Sequence, residues 1–596
     1  MKKNCLTFSK DVYLLIILGT IIYIFNLTWA PALLDDADSV HAEAAREMMQ
    51  RGNYSTLYIN GLRYLEKAPL MYWLIGWGFR VFGAMEWVAR LPLGVATVVL
   101  MLLVRRFTQW AAGDRAGLYA GLITGTSIGI FLFTRILIPD VIVAVWLTAT
   151  LYCFLRAVTA LEQARSATAW LMGMYSFAAL TVLTKGLIGI VFPGGTVFFF
   201  LLITGKWRLL RQVQLFSGTL LFFFLAAPWH IIAGLQNENP QGHGFFWFYF
   251  INEHFLRYLG KRYPVDYDKV PLLLFYLLHL VWLFPWSIFA ILYRPANNEA
   301  AHTRQTLLVS VIWPSLIILF FSFSTRQEYY TFPAWPALAI LLGYTLARAE
   351  AAPANASASR WLGYLRASLF TVSILITLGV AILLWRTRHF TPTTDIATLL
   401  TRHPEYYALS LGHIFDLTPE SLSTLRLPLV GATIAFLLGS GSSWWYGRQH
   451  RHFAANLALA LMMLMFFVCS QQALHVFEPY LSSKALAQEI LRRKQPDALI
   501  ILNGEYESGS SINFYTQRPL LILNNRTANL EFGSYYPDAP QRFLNDQEFL
   551  QYWEQVPVLY VVTTKENLAT LQALLGNRVY YPLAESGGKL LLSNQP

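Results

Sequence analysis

Residues 31–69, PALLDDADSVHAEAAREMMQRGNYSTLYINGLRYLEKAP, gather side chains that could do chemistry. Asp35, Asp36 and Asp38 lie within four residues, and Glu43, Glu47 and Glu66 follow, with His41, Arg46 and Lys67 among them. A carboxylate held at an apolar boundary can serve as a general base or, with its neighbours, bind a cation. An acidic loop end that is simply solvated is the competing reading. Glu66-Lys67 reads either as a surface ion pair of small energetic worth, or as a phosphate-binding Lys67 beside an acid that orients the phosphate or a metal. Asp140, in Thr134-Arg135-Ile136-Leu137-Ile138-Pro139-Asp140, opens an apolar run. An acid there is costly unless it faces protein, water or a partner; Arg135 is a candidate partner, and placement at a helix start is also favourable for Asp.

Three further stretches carry charge into apolar surroundings. Lys185, in Leu183-Thr184-Lys185-Gly186, interrupts a nearly continuous apolar run over 169–204, where it could snorkel or meet an anion. Glu253-His254-Phe255-Leu256-Arg257 offers a histidine that could share a divalent cation with a distant carboxylate, and an arginine. Thr325-Arg326-Gln327-Glu328-Tyr329-Tyr330 offers Arg326 to a phosphate and two tyrosines to a sugar or lipid. An interfacial aromatic belt with a charged turn would look the same.

The elements that position these groups are membrane spans. Charged residues are 13 % of the chain and hydrophobic ones 55 %, against about 25 % charged in a soluble domain. Apolar runs near 20 residues recur, so the chain reads as a polytopic α-helical membrane protein. Thirteen spans are expected, near 12–30, 87–105, 116–134, 141–158, 169–185, 187–204, 213–234, 271–293, 307–323, 332–348, 361–385, 427–446 and 453–471. The weakly basic start, MKKNCLTFSKD, lacks a clean small-residue cleavage site, which favours a retained first span over a signal peptide. With the N-terminus inside, Lys and Arg collect in the inner connections, which also accounts for the net charge of +11 without nucleic acid. The acid-rich stretch, the segment around 135–140, the one at 184–187, and loops 235–270, 324–331 and 387–425 then share the outer side. Cys5, Cys153 and Cys469 are too scattered for a disulfide framework or a thiolate metal site.

Within the acidic stretch, Ser39 to Gln50 has helical spacing, Asn60-Gly61 suits a hairpin turn, and PLMYWLIGWGFRVFG suits an interfacial helix. From about residue 472 the composition changes. Short β-rich runs such as DALIILNG, RPLLILNN and VPVLYVVTT alternate with amphipathic helices such as SKALAQEILRRK, DQEFLQYWEQ and KENLATLQALL. The expected division is a membrane domain over 1–471 with outer loops 31–86 and 235–270, and a soluble α/β domain over 472–596. The latter has no glycine-rich nucleotide motif and is assigned no cofactor.

Taken in order, several motifs resemble the GT-C membrane glycosyltransferases related to protein O-mannosyltransferases and, most closely, the bacterial aminoarabinose transferases that modify lipid A. They are the first-loop acids running into His41-Ala42-Glu43-Ala44-Ala45-Arg46-Glu47-Met48, Tyr64-Leu65-Glu66-Lys67-Ala68-Pro69, the Arg135-to-Asp140 segment, Leu183-Thr184-Lys185-Gly186, Glu253-His254-Phe255-Leu256-Arg257 and Phe284-Pro285-Trp286. The resemblance covers most of the chain to about residue 350. It implies a GT-C fold in a bacterial inner membrane, with a cytoplasmic N-terminus and a periplasmic C-terminal α/β domain. It implies a polyprenyl-phosphate sugar donor, undecaprenyl phosphate in bacteria, and inverting transfer to lipid A, another envelope glycan or protein. A first-loop acid would be the functional carboxylate, Asp36 first and Asp38 second, supported by Asp140. Lys67, Lys185, Arg257 and Arg326 would bind the donor phosphate, and Tyr64, Tyr329 and Tyr330 would contact substrate. Glu66 and His254 could hold a divalent metal ion, the one cofactor implied. Ser39-Val40 stands where the aminoarabinose enzymes carry an arginine, so the sugar and acceptor stay open. A transporter or flippase of lipid-linked sugars is the competing class, against which stands the lack of an inverted repeat.

Overall fold

A computed structural model describes residues 10–239, 242–264, 269–294, 298–353, 355–393, 395–400 and 416–596. The basic start with Cys5, and positions 240–241, 265–268, 295–297, 354, 394 and 401–415 of the expected connections, lie outside the described residues. Eight helices are long and apolar enough to cross a membrane, or nine if Leu272–Trp282 and Trp286–Leu292, bent by 99°, make one crossing. The expected thirteen is therefore not reached among the described residues. Ile188–Thr204 and Trp335–Ala351 stop at 17 residues, short of the roughly 20 a crossing needs. The run expected over 116–134 breaks at Ser127 into Asp114–Thr126 and Ile128–Phe133. Asp140–Glu162 is the most enclosed long helix, 89 % buried over its apolar window, so Asp140 starts an element with neighbours on every side.

The acid-rich stretch folds into the platform under the site. Helix Ala37–Arg51 ends on Gly52 in the left-handed conformation. Strands β1 (Leu57–Ile59) and β2 (Leu62–Tyr64) pair antiparallel around Asn60 and Gly61, whose φ values of 54° and 81° are those of the tight hairpin turn that Asn-Gly favours. Helix Leu70–Phe82 follows and packs against both Ala37–Arg51 and the span Glu86–Ala112.

The C-terminal domain is a six-stranded sheet. Its strands are β3 (Leu499–Asn503), β4 (Leu520–Leu523), β5 (Phe543–Leu544), β6 (Leu559–Thr564), β7 (Tyr581–Ser586) and β8 (Lys589–Ser593), in the order β5-β4-β3-β6-β8-β7. The β5-β4-β3-β6 portion is parallel and β8 and β7 run antiparallel. Helices Lys484–Arg492, Asp546–Gln555 and Lys565–Leu575 lie where amphipathic spacing places them. The boundary expected at 471/472 falls inside a helix, because His452–Leu481 continues past it.

This domain sits on the acidic platform. The Asp35 carboxylate accepts from the Ser511 amide (2.9 Å), the Ser483 hydroxyl (2.7 Å) and the Lys589 ammonium (2.5 Å). Asn60 acts as a surrogate peptide, donating to Leu520 O and accepting from Leu520 N at 2.8 Å each. Arg63 pairs with Asp538 and lies over the Tyr536 ring at 4.3 Å. Lys589→Met would leave the largely buried Asp35 charge without its cation. It is expected to cost about 2 kcal/mol, read as a lower melting temperature in detergent and faster proteolytic release of the sheet domain. Unchanged melting and cleavage would show that the pair carries no weight.

Candidate active site

A cavity of about 570 Å³ opens where the platform meets the ends of the spans. Lys67, Asp140, Lys185, Arg257, Tyr329 and Tyr330 line it, with Glu66 and His254. Five separate pieces of chain deliver them. Glu66 and Lys67 follow the hairpin, Asp140 begins a buried helix, and Lys185 ends Thr168–Lys185. His254 lies in a π-helical turn over Trp247–Leu256, and Arg257 follows it directly.

The cations are held by acids rather than left bare. Lys185 Nζ contacts both oxygens of Asp140 at 2.6 and 2.7 Å and lies 5.5 and 5.4 Å from the Tyr329 and Tyr330 rings. Lys67 is 3.3 Å from Glu66, and Arg257 donates to Glu253 at 3.1 Å. Arg262 joins the two acids, reaching Glu66 at 2.9 Å and Glu253 at 2.7 Å. The Lys67 and Lys185 side chains keep 29 % and 28 % exposure, enough to reach an incoming anion. Three cations that can turn to a ligand, with carboxylates behind them, suit a phosphate flanked by hydroxyl groups.

Four expected site residues do not line this cavity. Asp36 begins helix Ala37–Arg51 with φ of 70°, its amide bonded to Glu507 O and the Ser510 hydroxyl of the sheet domain. Asp38 is completely buried and paired with the equally buried Arg90, and it accepts from Leu137 N at 2.7 Å. Arg90 also donates to the carbonyls of Pro31, Ala32 and Arg135. Asp38 therefore ties the acidic stretch to the segment that leads into Asp140. Arg326 is spent on backbone, donating to Val270 O and Ser322 O at 2.9 and 3.0 Å. Tyr64 is buried one layer behind, its ring 6.4 Å from that of His41.

Sequence reasoning assigned no role to Arg90, Tyr72 or Glu253, and none to His41. An arginine inside the apolar span Glu86–Ala112 was a usable signal, since an ionisable residue there implies a partner. His41 and Tyr72 both line the cavity and share a hydrogen bond of 2.8 Å between the Tyr72 hydroxyl and His41 Nδ1. Burial, with the charges on Lys67 and Lys185, pushes the His41 imidazole down to about 3, so the ring is uncharged. Burial likewise holds the Tyr72 phenol well above its ordinary range.

Glu66 and His254 do not fit a metal ion in this arrangement. His254 Nδ1 bonds to Tyr249 O at 2.6 Å and Nε2 accepts from Leu187 N at 3.1 Å, so both ring nitrogens are used. Glu66 faces the cations Arg262 and Lys67. Among the described residues no group of three or more His, Cys, Asp or Glu side chains converges as a metal site. The approach of His254 to the Leu187 amide needs glycine at 186, which has φ of 73°; a Cβ there would stand 2.2 Å from His254 Nε2.

Residues 66–232 match the family model described as dolichyl-phosphate-mannose-protein mannosyltransferase. The chain is 23 % identical over 583 residues to undecaprenyl phosphate-alpha-4-amino-4-deoxy-L-arabinose arabinosyl transferase 1 of Proteus mirabilis (strain HI4320), covering 95 % of this chain and 94 % of that one. An uncharacterized protein of Aquifex aeolicus (strain VF5) is 30 % identical over 338 residues, covering 56 % of this chain and 63 % of the relative, less than two thirds of its length. The crystal structure of ArnT from Cupriavidus metallidurans bound to undecaprenyl phosphate superposes with a TM-score of 0.78 at 21 % identity over 98 % of both chains. Its apo form gives 0.76 at 22 % identity over 98 % of this chain and 97 % of that one. At these identities the likeness establishes the fold.

Proposed function

We propose that the chain is a GT-C membrane glycosyltransferase that moves a sugar from undecaprenyl phosphate to an acceptor hydroxyl on lipid A, another envelope glycan or a protein. The observation that carries this reading is the convergence of Lys67, Lys185 and Arg257 with Asp140 in one cavity at the end of apolar helices. Such a site suits an anionic headgroup whose lipid tail stays in the membrane. The likeness to a protein crystallised with undecaprenyl phosphate supports the choice of carrier. In this reading the N-terminus is cytoplasmic and the cavity and sheet domain face the periplasmic side of an inner membrane, which the collection of Lys and Arg in the inner connections supports.

In the proposed reaction the acceptor oxygen attacks the anomeric carbon opposite the phosphate. The anomeric C–O bond breaks, its electron pair leaves with the lipid phosphate, and configuration inverts. Lys67, Lys185 and Arg257 stabilise the charge that grows on the phosphate. The incoming phosphate draws the Lys185 ammonium, which frees Asp140 to take the hydroxyl proton. Tyr329 and Tyr330 form a wall for the sugar. No step is routed through a metal.

Purified protein given radiolabelled undecaprenyl-phosphate sugar and an envelope-glycan extract should release undecaprenyl phosphate in detergent. Lys67→Ala should raise KM for the donor about tenfold or more, the loss of one charge-assisted phosphate contact. Movement of the sugar lipid only across a sealed bilayer, with none cleaved, would instead establish the flippase reading.

A further inference from the structure

We propose that His41 is an N–H donor to the leaving phosphate, held in that tautomer by Tyr72. The assignment rests on the donor reading above and adds to it an uncharged group among the cations. Helix Ala37–Arg51 brings His41 to the cavity wall, and helix Leu70–Phe82 brings Tyr72 behind it. Tyr72 is 1 % exposed, and its O–H needs an acceptor; His41 Nδ1, at 2.8 Å, is that acceptor. The reverse arrangement, with Nδ1–H donating, would leave the buried phenol hydrogen without this acceptor.

With Nδ1 accepting, the ring proton is on Nε2, the nitrogen that His41 still has to offer the cavity. The charged groups around the ring are the ammoniums of Lys67 and Lys185, and the carboxylate of Glu66 acts on Tyr72. A third full charge beside those lysines is disfavoured, whereas a neutral N–H adds a directed donor. That donor strengthens as the phosphate gains charge when the anomeric C–O bond breaks, so it acts on turnover more than on ground-state binding. No proton needs to leave the imidazole.

The test compares His41→Phe, His41→Gln and Tyr72→Phe with the wild type. It measures turnover, KM for the sugar lipid, and binding of undecaprenyl phosphate in detergent. Melting temperature serves as the control for folding. His41→Phe should lower kcat about 100-fold with KM within about threefold. His41→Gln keeps an N–H donor and should recover most of that loss, while Tyr72→Phe should lower kcat and leave KM unchanged. His41→Phe at wild-type kcat, or His41→Gln folded but as slow as His41→Phe, would overturn the assignment. Wild type that binds no undecaprenyl phosphate would overturn the donor reading, and the His41 assignment with it.

Discussion

Asp140→Asn should reduce sugar transfer about 1,000-fold, the scale of a lost general base in a positioned site, while undecaprenyl phosphate still binds. Of the three acids expected from the sequence to be catalytic, Asp36, Asp38 and Asp140, the last is the one that lines the cavity. Its carboxylate meets Lys185 through both oxygens, so the pair holds charge in reserve for a ligand. Asparagine keeps the shape but cannot take a proton, and it releases Lys185 toward the phosphate. Product affinity should therefore hold steady or tighten as turnover falls. Asp36→Asn is the matched control and should remain near wild type, because Asp36 does not line the cavity. Measured with one donor preparation, the two variants separate the alternatives. Normal kcat in Asp140→Asn would remove Asp140 from the mechanism; a folded but inactive Asp36→Asn would return the role to the first loop.

Much of the site's composition is legible along the chain because the membrane does the sorting. An isolated charge at the end of an apolar run is expensive, so Asp140 and Lys185 stand out against their neighbours, and the topology sends them to one side. The hairpin at Asn60-Gly61 and the alternating elements after residue 472 are equally local signals. What is not legible is pairing across long separations. Asp38 and Arg90 are 52 positions apart, and Asp35 and Lys589 are 554 apart. In a linear reading Asp35, Asp36 and Asp38 form one acidic cluster; in the fold Asp35 points to the sheet domain and Asp38 to the membrane domain. Arg326 shows the converse error. A basic loop residue suggests a ligand, yet two backbone carbonyls near a span end already claim it. The thirteen expected spans outnumber the helices long enough to cross among the described residues for a related reason: hydropathy registers apolar composition, whereas enclosed helices in a bundle can be short or broken.

Asp38→Ala is the substitution expected to damage the fold most. Asp38 and Arg90 are 0 % and 1 % exposed at the side chain, so removing the acid leaves a guanidinium charge buried without its partner. Such a break costs about 3–5 kcal/mol. Arg90 would still hold the Pro31, Ala32 and Arg135 carbonyls, so the damage should centre on the Leu137 amide and the segment running to Asp140. Arg90→Met strands the opposite charge and also frees those carbonyls, so it should be at least as harmful. The double variant removes both charges and should be less destabilised than the sum of the singles by about 2 kcal/mol or more, the signature of direct coupling. Thermal melting in detergent measures the cycle. A second reading comes from kcat: a variant kept folded at low temperature should still turn over slowly, because Asp140 has lost the tether that sets its position. Additive single effects, or Asp38→Ala melting with the wild type, would show that Asp38 does not brace this wall of the site.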